Sequence, residues 1–307
     1  MFNKITAAAL SGKTPLLKWS GSIIICNNGN KGGVGKSSVM RLLAEKLVTL
    51  GKTVILIDLD FTSAVQGLLS KQPNKVGLAT LINKESATLD QACNFHNGVR
   101  YIYGIEMPSW EILQTRPDMF RRLFQKILEH TGSDYILFDT GAGDFDHTRL
   151  FSLLSDIVIT VTQPFNEPVN SAIKQQTRLY EAYAKAKTRI SGPQHILISN
   201  ESVPGKTLSL REVQQRFEEI ISLRPANIQP WIIATERKTL LTSALPLPLI
   251  KEGLQEFFYH PGKKQPKELA LFMSRLTEQV LSFSRTTNSN PLEKYTTLIE
   301  PELQRKR

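Results

Sequence analysis

Cysteine is scarce in this chain. Cys26 and Cys93 are its two, and they lie far apart. Such a pair supports neither a disulfide framework nor a thiolate metal cluster, so no metal cluster is expected. It fits a reducing cytosol, and a cytoplasmic location is the expectation. Long apolar runs are missing as well; none approaches the roughly 20 residues that cross a bilayer. The N-terminal stretch around Lys4 and Ala7-Ala8-Ala9-Leu10 is too weakly apolar for a secretory signal. There is no internal repeat and no low-complexity tract. The five histidines, His96, His130, His147, His195 and His260, are not spaced with cysteines or carboxylates as metal ligands are. Of these, the Asp144/Asp146/His147 cluster stands apart as a candidate contact to a partner. Trp19, Trp110 and Trp231 are isolated and are expected to pack rather than stack on a ligand. What the chain has in excess is positive charge: a net +10 over 307 residues and a pI near 9.5. That balance favours a polyanionic partner, either nucleic acid or an anionic membrane surface.

The strongest local signal is Asn30-Lys31-Gly32-Gly33-Val34-Gly35-Lys36-Ser37-Ser38, directly after the apolar run Ser22-Ile23-Ile24-Ile25-Cys26. An ordinary phosphate-binding loop reads Gly, four residues, Gly-Lys-Ser/Thr. Here Gly35-Lys36-Ser37 fits, Asn30 takes the place of the first glycine, and a second lysine, Lys31, follows it. Glycines 32, 33 and 35 let the backbone turn its N–H groups inward around an anion. A helix starting near Lys36 aims its positive end at the same phosphates. Lys36 would reach the terminal phosphates, and the Ser37 hydroxyl would take one Mg²⁺ position. By contrast, Ser11-Gly12-Lys13-Thr14 lacks the earlier glycine, precedes Pro15, and reads as a surface turn.

Strands and helices alternate with short turns, the pattern of a doubly wound, mostly parallel α/β sheet in a single domain. Expected strands are 22–27, 53–58, 99–103, 134–139, 156–162, 195–199 and 231–234. Expected helical stretches are one following the loop, 77–93, 119–130, 170–187, 211–222 and 266–283. Residues 1–21 read as an extension, 22–284 as the domain, and 285–307, ending in Arg305-Lys306-Arg307, as a loosely ordered basic tail. Two of the strands end in acid. The strand 53–58 closes on Asp58-Leu59-Asp60, and 134–139 on Asp139-Thr140-Gly141-Ala142-Gly143. Ligands sit beyond the carboxyl ends of parallel strands, so these carboxylates are expected near the loop. One can support Mg²⁺ and another can orient water, while the glycines let the segment respond to a γ-phosphate.

Taken together, the Lys31–Ser38 loop, Asp58-Leu59-Asp60 and Asp139–Gly143 resemble the MinD/ParA group of deviant phosphate-loop ATPases, over roughly residues 22 to 284. The resemblance implies an ATP- and Mg²⁺-dependent homodimer with a slow ATPase that an activating protein partner accelerates. It implies that Lys31 reaches the partner's nucleotide and that Lys36 binds phosphates in its own subunit. It also implies that Ser37 holds Mg²⁺ with Asp58 and Asp139 around it, and that Asp60 positions the attacking water. Gly32, Gly33, Val34, Gly35, Ser37 and Ser38 would line the nucleotide, with Asn200 at the adenine. Phe61-Thr62-Ser63 fits neither common subgroup, so the subgroup stays open. Three roles follow. One is a partition or positioning ATPase that binds DNA without sequence preference, through Lys263, Lys264, Lys267, Arg275 and the basic end. A second is a membrane-cycling regulator of division or flagellar placement, with Phe257-Phe258-Tyr259 as one candidate anchor. The third is a biosynthetic enzyme on the same fold.

Overall fold

The computed structural model describes residues 21–29, 31–60, 77–104, 117–143, 146–185, 192–200, 208–222, 245–247, 267–283 and 291–305. Among them are eight strands: β1 Ile23–Asn28, β2 Val54–Asp58, β3 Asn94–His96, β4 Val99–Ile102, β5 Tyr135–Asp139, β6 Ile157–Thr162, β7 Gln194–Asn200 and β8 Leu245–Leu247. They form one sheet in the order β3-β4-β2-β5-β1-β6-β7-β8. Every pairing is parallel except that of β3 with β4. The central strands are continuous apolar runs, buried on both faces, which is what a parallel sheet with helices on each side requires.

The helices are α1 Lys36–Thr49, α2 Leu78–Asn83, α3 Leu89–Ala92, α4 Pro117–Glu129, α5 Asp146–Leu154, α6 Asn166–Lys185, α7 Leu210–Ser222 and α8 Lys267–Leu281. On one face, Val39, Leu43 and Leu47 of α1 and Phe272, Met273 and Leu276 of α8 pack with Ile25, Leu137 and Ile159 of the sheet. On the other face, Leu81, Phe120, Phe124, Phe151, Leu179 and Tyr183, from α2, α4, α5 and α6, pack with Ile24, Cys26, Ile136 and Phe138. The doubly wound, mostly parallel α/β architecture expected from the sequence is the one present. Strand β1 lies between β5 and β6, so the ends of β1, β2 and β5 lie together where the strand order reverses.

Several expectations are revised. The helical stretch expected over 77–93 is two short helices. Thr88 restarts the second with a capping box to Gln91, which a continuous helix would have left unused. The helix α5 and the edge strand β3 were not anticipated. The Asn97-Gly98 turn, at φ 49° and 78°, folds β3 back on β4. The strand expected at 231–234 lies outside the described residues, as do residues 1–20 and Lys263, Lys264 and Phe257-Phe258-Tyr259.

The largest revision concerns the C-terminal tail. Residues 291–305 are helical: Pro291–Lys294, then a π-helical stretch Tyr295–Ile299, then Glu300–Arg305. Leu298, Ile299 and Leu303 are buried in the α4/α5 side of the core. Tyr295 lies against Phe124, with ring centroids 5.8 Å apart. Glu300 receives Arg121 Nε at 2.8 Å and Tyr295 Oη at 2.7 Å. Apolar burial, rather than tail-like solvation, decides the state of this segment.

Candidate functional site

The loop joins β1 to α1, and its geometry follows from its glycines. Gly35 caps α1 in a left-handed conformation, φ 101°, which strongly favours glycine. At Gly29 an added Cβ would sit 2.5 Å from the Val161 carbonyl oxygen and 3.2 Å from Lys36 Cδ. No residue larger than glycine fits between the loop's entry and β6. Val34 is buried and anchors the loop to the α1 side of the core, while Gly32 and Gly33 are exposed and Ser38 is half-buried in the first turn of α1.

The two loop lysines face different environments. Lys36 is buried, and its Nζ donates to the Lys31 carbonyl at 2.9 Å, closing the loop on itself. Burial holds its ammonium below the ordinary lysine range, against the pull of the Asp139 and Asp60 carboxylates. Lys31 points outward: 46% of its side-chain surface is exposed, and its Nζ meets Glu167 Oε2, in the first turn of α6, at 3.0 Å. With Glu167 itself 82% exposed, this pair contributes at most about 1 kcal/mol and breaks readily.

The acidic residues gather beside the loop. Register pairs Asp58 with Asp139 across β2 and β5. An Asp58 carboxylate oxygen accepts the Asp60 N–H at 2.8 Å. Asp60 lies under the segment that follows β5, where a Cβ on Gly141 would be 3.2 Å from the Asp60 Cγ. Asp139 is buried; burial raises its carboxyl to about 6, opposed by hydrogen bonds from Asn27 and Ser37 and by the charge of Lys36. A Ser37 hydroxyl and buried or half-buried carboxylates are hard oxygen donors, the set that Mg²⁺ prefers. A cation at Asp139 would also offset the cost of burying its charge. The residues present therefore fit Mg²⁺, which Ser37 and Asp139 would hold with Asp58 alongside.

Asn27 went unnoticed in the sequence and is the orienting residue of this cluster. Its Nδ2 donates to Asp139 Oδ1 at 2.5 Å. Its Oδ1 accepts the Thr140 N–H at 2.6 Å and the Thr140 hydroxyl at 2.9 Å. It thus fixes both the carboxylate and the start of the segment after it. The available signal was a polar residue closing an otherwise apolar strand on the site side. Asn200 closes β7, in register with Leu247 of β8; its side chain lies outside the described residues. Of the histidines, His130 bonds Ser133 and His195 bonds Gln176, both within the fold, and His96 lies 3.3 Å from an Arg41 nitrogen. The His147 side chain and His260 lie outside the described residues.

A strand, a glycine loop capping a helix, and a neighbouring strand ending in a buried aspartate define a phosphate-loop nucleotide-binding protein. Residues 25–190 match the family described as the CobQ/CobB/MinD/ParA nucleotide binding domain, and the chain belongs to that family. An uncharacterized ATP-binding protein of Methanocaldococcus jannaschii is 26% identical over 171 residues, 55% of this chain and 62% of the relative. The chain thus spans under two thirds of that relative's length. Solved structures share the fold. The septum site-determining protein MinD of Pyrococcus horikoshii, complexed with Mg-ADP, is 19% identical with a TM-score of 0.57, over 85% of this chain and 96% of that one. The MinC:MinD cell division complex of Aquifex aeolicus matches at 16% and 0.60, over 86% and 98%. A putative plasmid partition protein of Borrelia burgdorferi bound to AMPPNP matches at 19% and 0.57, over 85% and 100%. Among the described residues, no helix is long and apolar enough to cross a membrane.

Proposed function

We propose that this protein is an ATP-dependent dimerisation switch with slow intrinsic ATPase activity, which positions DNA or a cellular assembly by binding DNA without sequence preference when loaded with ATP. The observation that carries this reading is the division between the two loop lysines. Lys36 is buried inside the loop, where it serves its own subunit's phosphates. Lys31 stands outside, held by one weak surface pair, where a second subunit's nucleotide can take it from Glu167. Mg²⁺, held by Ser37 and Asp139 with Asp58 beside them, would share the phosphate charge. Asp60, under Gly141, is in place to orient a water, and Asn27 keeps Asp139 and Thr140 in position for it. Positioning and charge neutralisation are most of what phosphoryl transfer to water needs. No strong base stands in this set, so hydrolysis is slow until an activating protein completes it. A net charge of +10 supports a polyanionic surface as the partner of the loaded dimer.

Replacing Lys31 with alanine is expected to abolish ATP-dependent dimerisation while leaving nucleotide binding within a few-fold of the natural chain. Sedimentation velocity with ATP and with ADP checks this; an unchanged dimer removes Lys31 from the interface. The choice of surface is tested by pelleting the protein with plasmid DNA and with anionic liposomes, each with ATP and with ADP. Binding to DNA only with ATP, falling steeply as salt rises, is the expected result. Binding to liposomes instead would make the protein a membrane-cycling regulator. The apolar residues Leu298, Ile299 and Leu303 are spent on the domain core rather than presented as a free amphipathic face.

A further inference from the structure

Helix α6 touches both nucleotide loops. In its first turn Glu167 holds Lys31. Eight residues on, about 12 Å along the axis, Gln175 Nε2 donates to the Gly143 carbonyl at 3.1 Å. Gly143 ends the segment that begins at Asp139, and both ends of that segment are therefore held by side-chain amides. Asn27 grips its start at Thr140, and Gln175 grips its end. Between the two grips, Gly141 lies against Asp60, and a Cβ on Gly32 of the phosphate loop would stand 3.7 Å from Ala142 Cβ. The far half of α6 is anchored elsewhere. Tyr183 Oη donates to the Leu153 carbonyl at 2.8 Å, and Gln176 bonds His195 at 2.6 Å.

From this geometry we infer that Gln175 is a positioning residue: it sets the segment 140–143 over Asp60 and ties that segment, through α6, to the Glu167 that restrains Lys31. The inference rests on the reading of the site as a hydrolytic nucleotide site. Gln175 is buried, and its amide holds the Gly143 carbonyl, so it acts through the backbone it holds. With the Gly143 carbonyl released, the segment is no longer fixed beside Asp60. The rate of hydrolysis then falls, while the phosphate loop that binds nucleotide is untouched. The helix also loses its link between a γ-phosphate sensed at 140–143 and the release of Lys31.

Gln175→Met keeps the side chain's length and removes its donor; Gln175→Leu is the second variant should the first not fold. Steady-state ATPase assays, with thermal unfolding as the folding check, are expected to show kcat lowered about three- to tenfold, the range one hydrogen bond supports. KM is expected to stay within twofold and the unfolding midpoint within a few degrees. Combining Gln175→Met with Glu167→Gln is expected to change ATP-dependent dimerisation non-additively, because both changes act on one helix. An unchanged kcat in both folded variants overturns the inference. A raised KM at constant kcat overturns it too, because Gln175 would then be part of nucleotide binding. Additive effects on dimerisation overturn the link through α6. A natural chain that binds no ATP by calorimetry overturns the reading of the site, and this inference with it; that result is distinct from a normal natural chain with unaltered variants.

Discussion

Lys36→Met is expected to weaken ATP binding by about a hundredfold or more, roughly 2.7 kcal/mol. The Lys36 ammonium sits inside the loop on the Lys31 carbonyl, where burial disfavours its charge. A bound polyphosphate would reverse that balance by supplying several anionic oxygens to an already oriented donor. Losing one partner of a desolvated charge pair costs about 2–5 kcal/mol in comparable settings. Methionine keeps the stem that packs beside Gly29 while removing the charge. The free protein is therefore expected to keep its unfolding midpoint while losing the stabilisation that ATP confers by mass action. Isothermal titration and thermal unfolding with and without ATP read these two quantities separately. An unchanged dissociation constant would show that the loop is not a phosphate cradle. The contrast with Lys31→Ala is the sharper check, since the outward lysine should govern association between chains and the inward one should govern binding.

Lys294→Ala is expected to destabilise the fold by about 3 kcal/mol, a drop in unfolding midpoint of roughly 6 °C or more. The Lys294 side chain is fully buried. Its Nζ donates to the Ser155 carbonyl at 2.6 Å and lies 3.7 Å from Asp156 Oδ1, a carboxylate that is also fully buried. The other oxygen of Asp156 accepts the Ile24 N–H at the start of β1, at 2.9 Å. Removing the lysine leaves a buried carboxylate without its countercharge and loosens the C-terminal helices from α5. The double change Lys294→Met with Asp156→Asn is expected to recover most of the loss. Asparagine can still accept the Ile24 N–H, and no uncompensated charge remains. Thermal or urea unfolding of the natural chain, Lys294→Met, Asp156→Asn and their double gives the coupling. A single variant as stable as the natural chain would mean that the C-terminal segment is held by its apolar contacts alone.

Parts of this protein were legible in one dimension because they depend on neighbours in the chain. A glycine loop between an apolar strand and an amphipathic helix is a local object, and so is an apolar strand closing on aspartate. Their spacing was enough to bring Lys36, Ser37, Asp58, Asp60 and Asp139 to one end of a parallel sheet. The capping box at Thr88 and the Asn97-Gly98 turn were local signals too, but three-residue β3 was too short for its alternation to register. The C-terminal helix was hidden for a different reason. Its π-helical stretch Tyr295–Ile299 takes more residues per turn, so the apolar positions around it leave the 3.6-residue period that marks an amphipathic helix.

The sequence by itself determined the phosphate loop, its two lysines, the acidic strand ends and the alternating α/β order, because each follows from local backbone conformation and hydrophobic period. Only the tertiary structure decided what those groups meet. Asn27 grips Asp139 across 112 residues, Lys31 finds Glu167 across 136, and Lys294 reaches Ser155 across 139. These partners are chosen by strand order and by which helix covers which face. Sheet order, buried charge and the packing of helices on both faces arise only when distant segments exclude water together, and no local pattern carries that information.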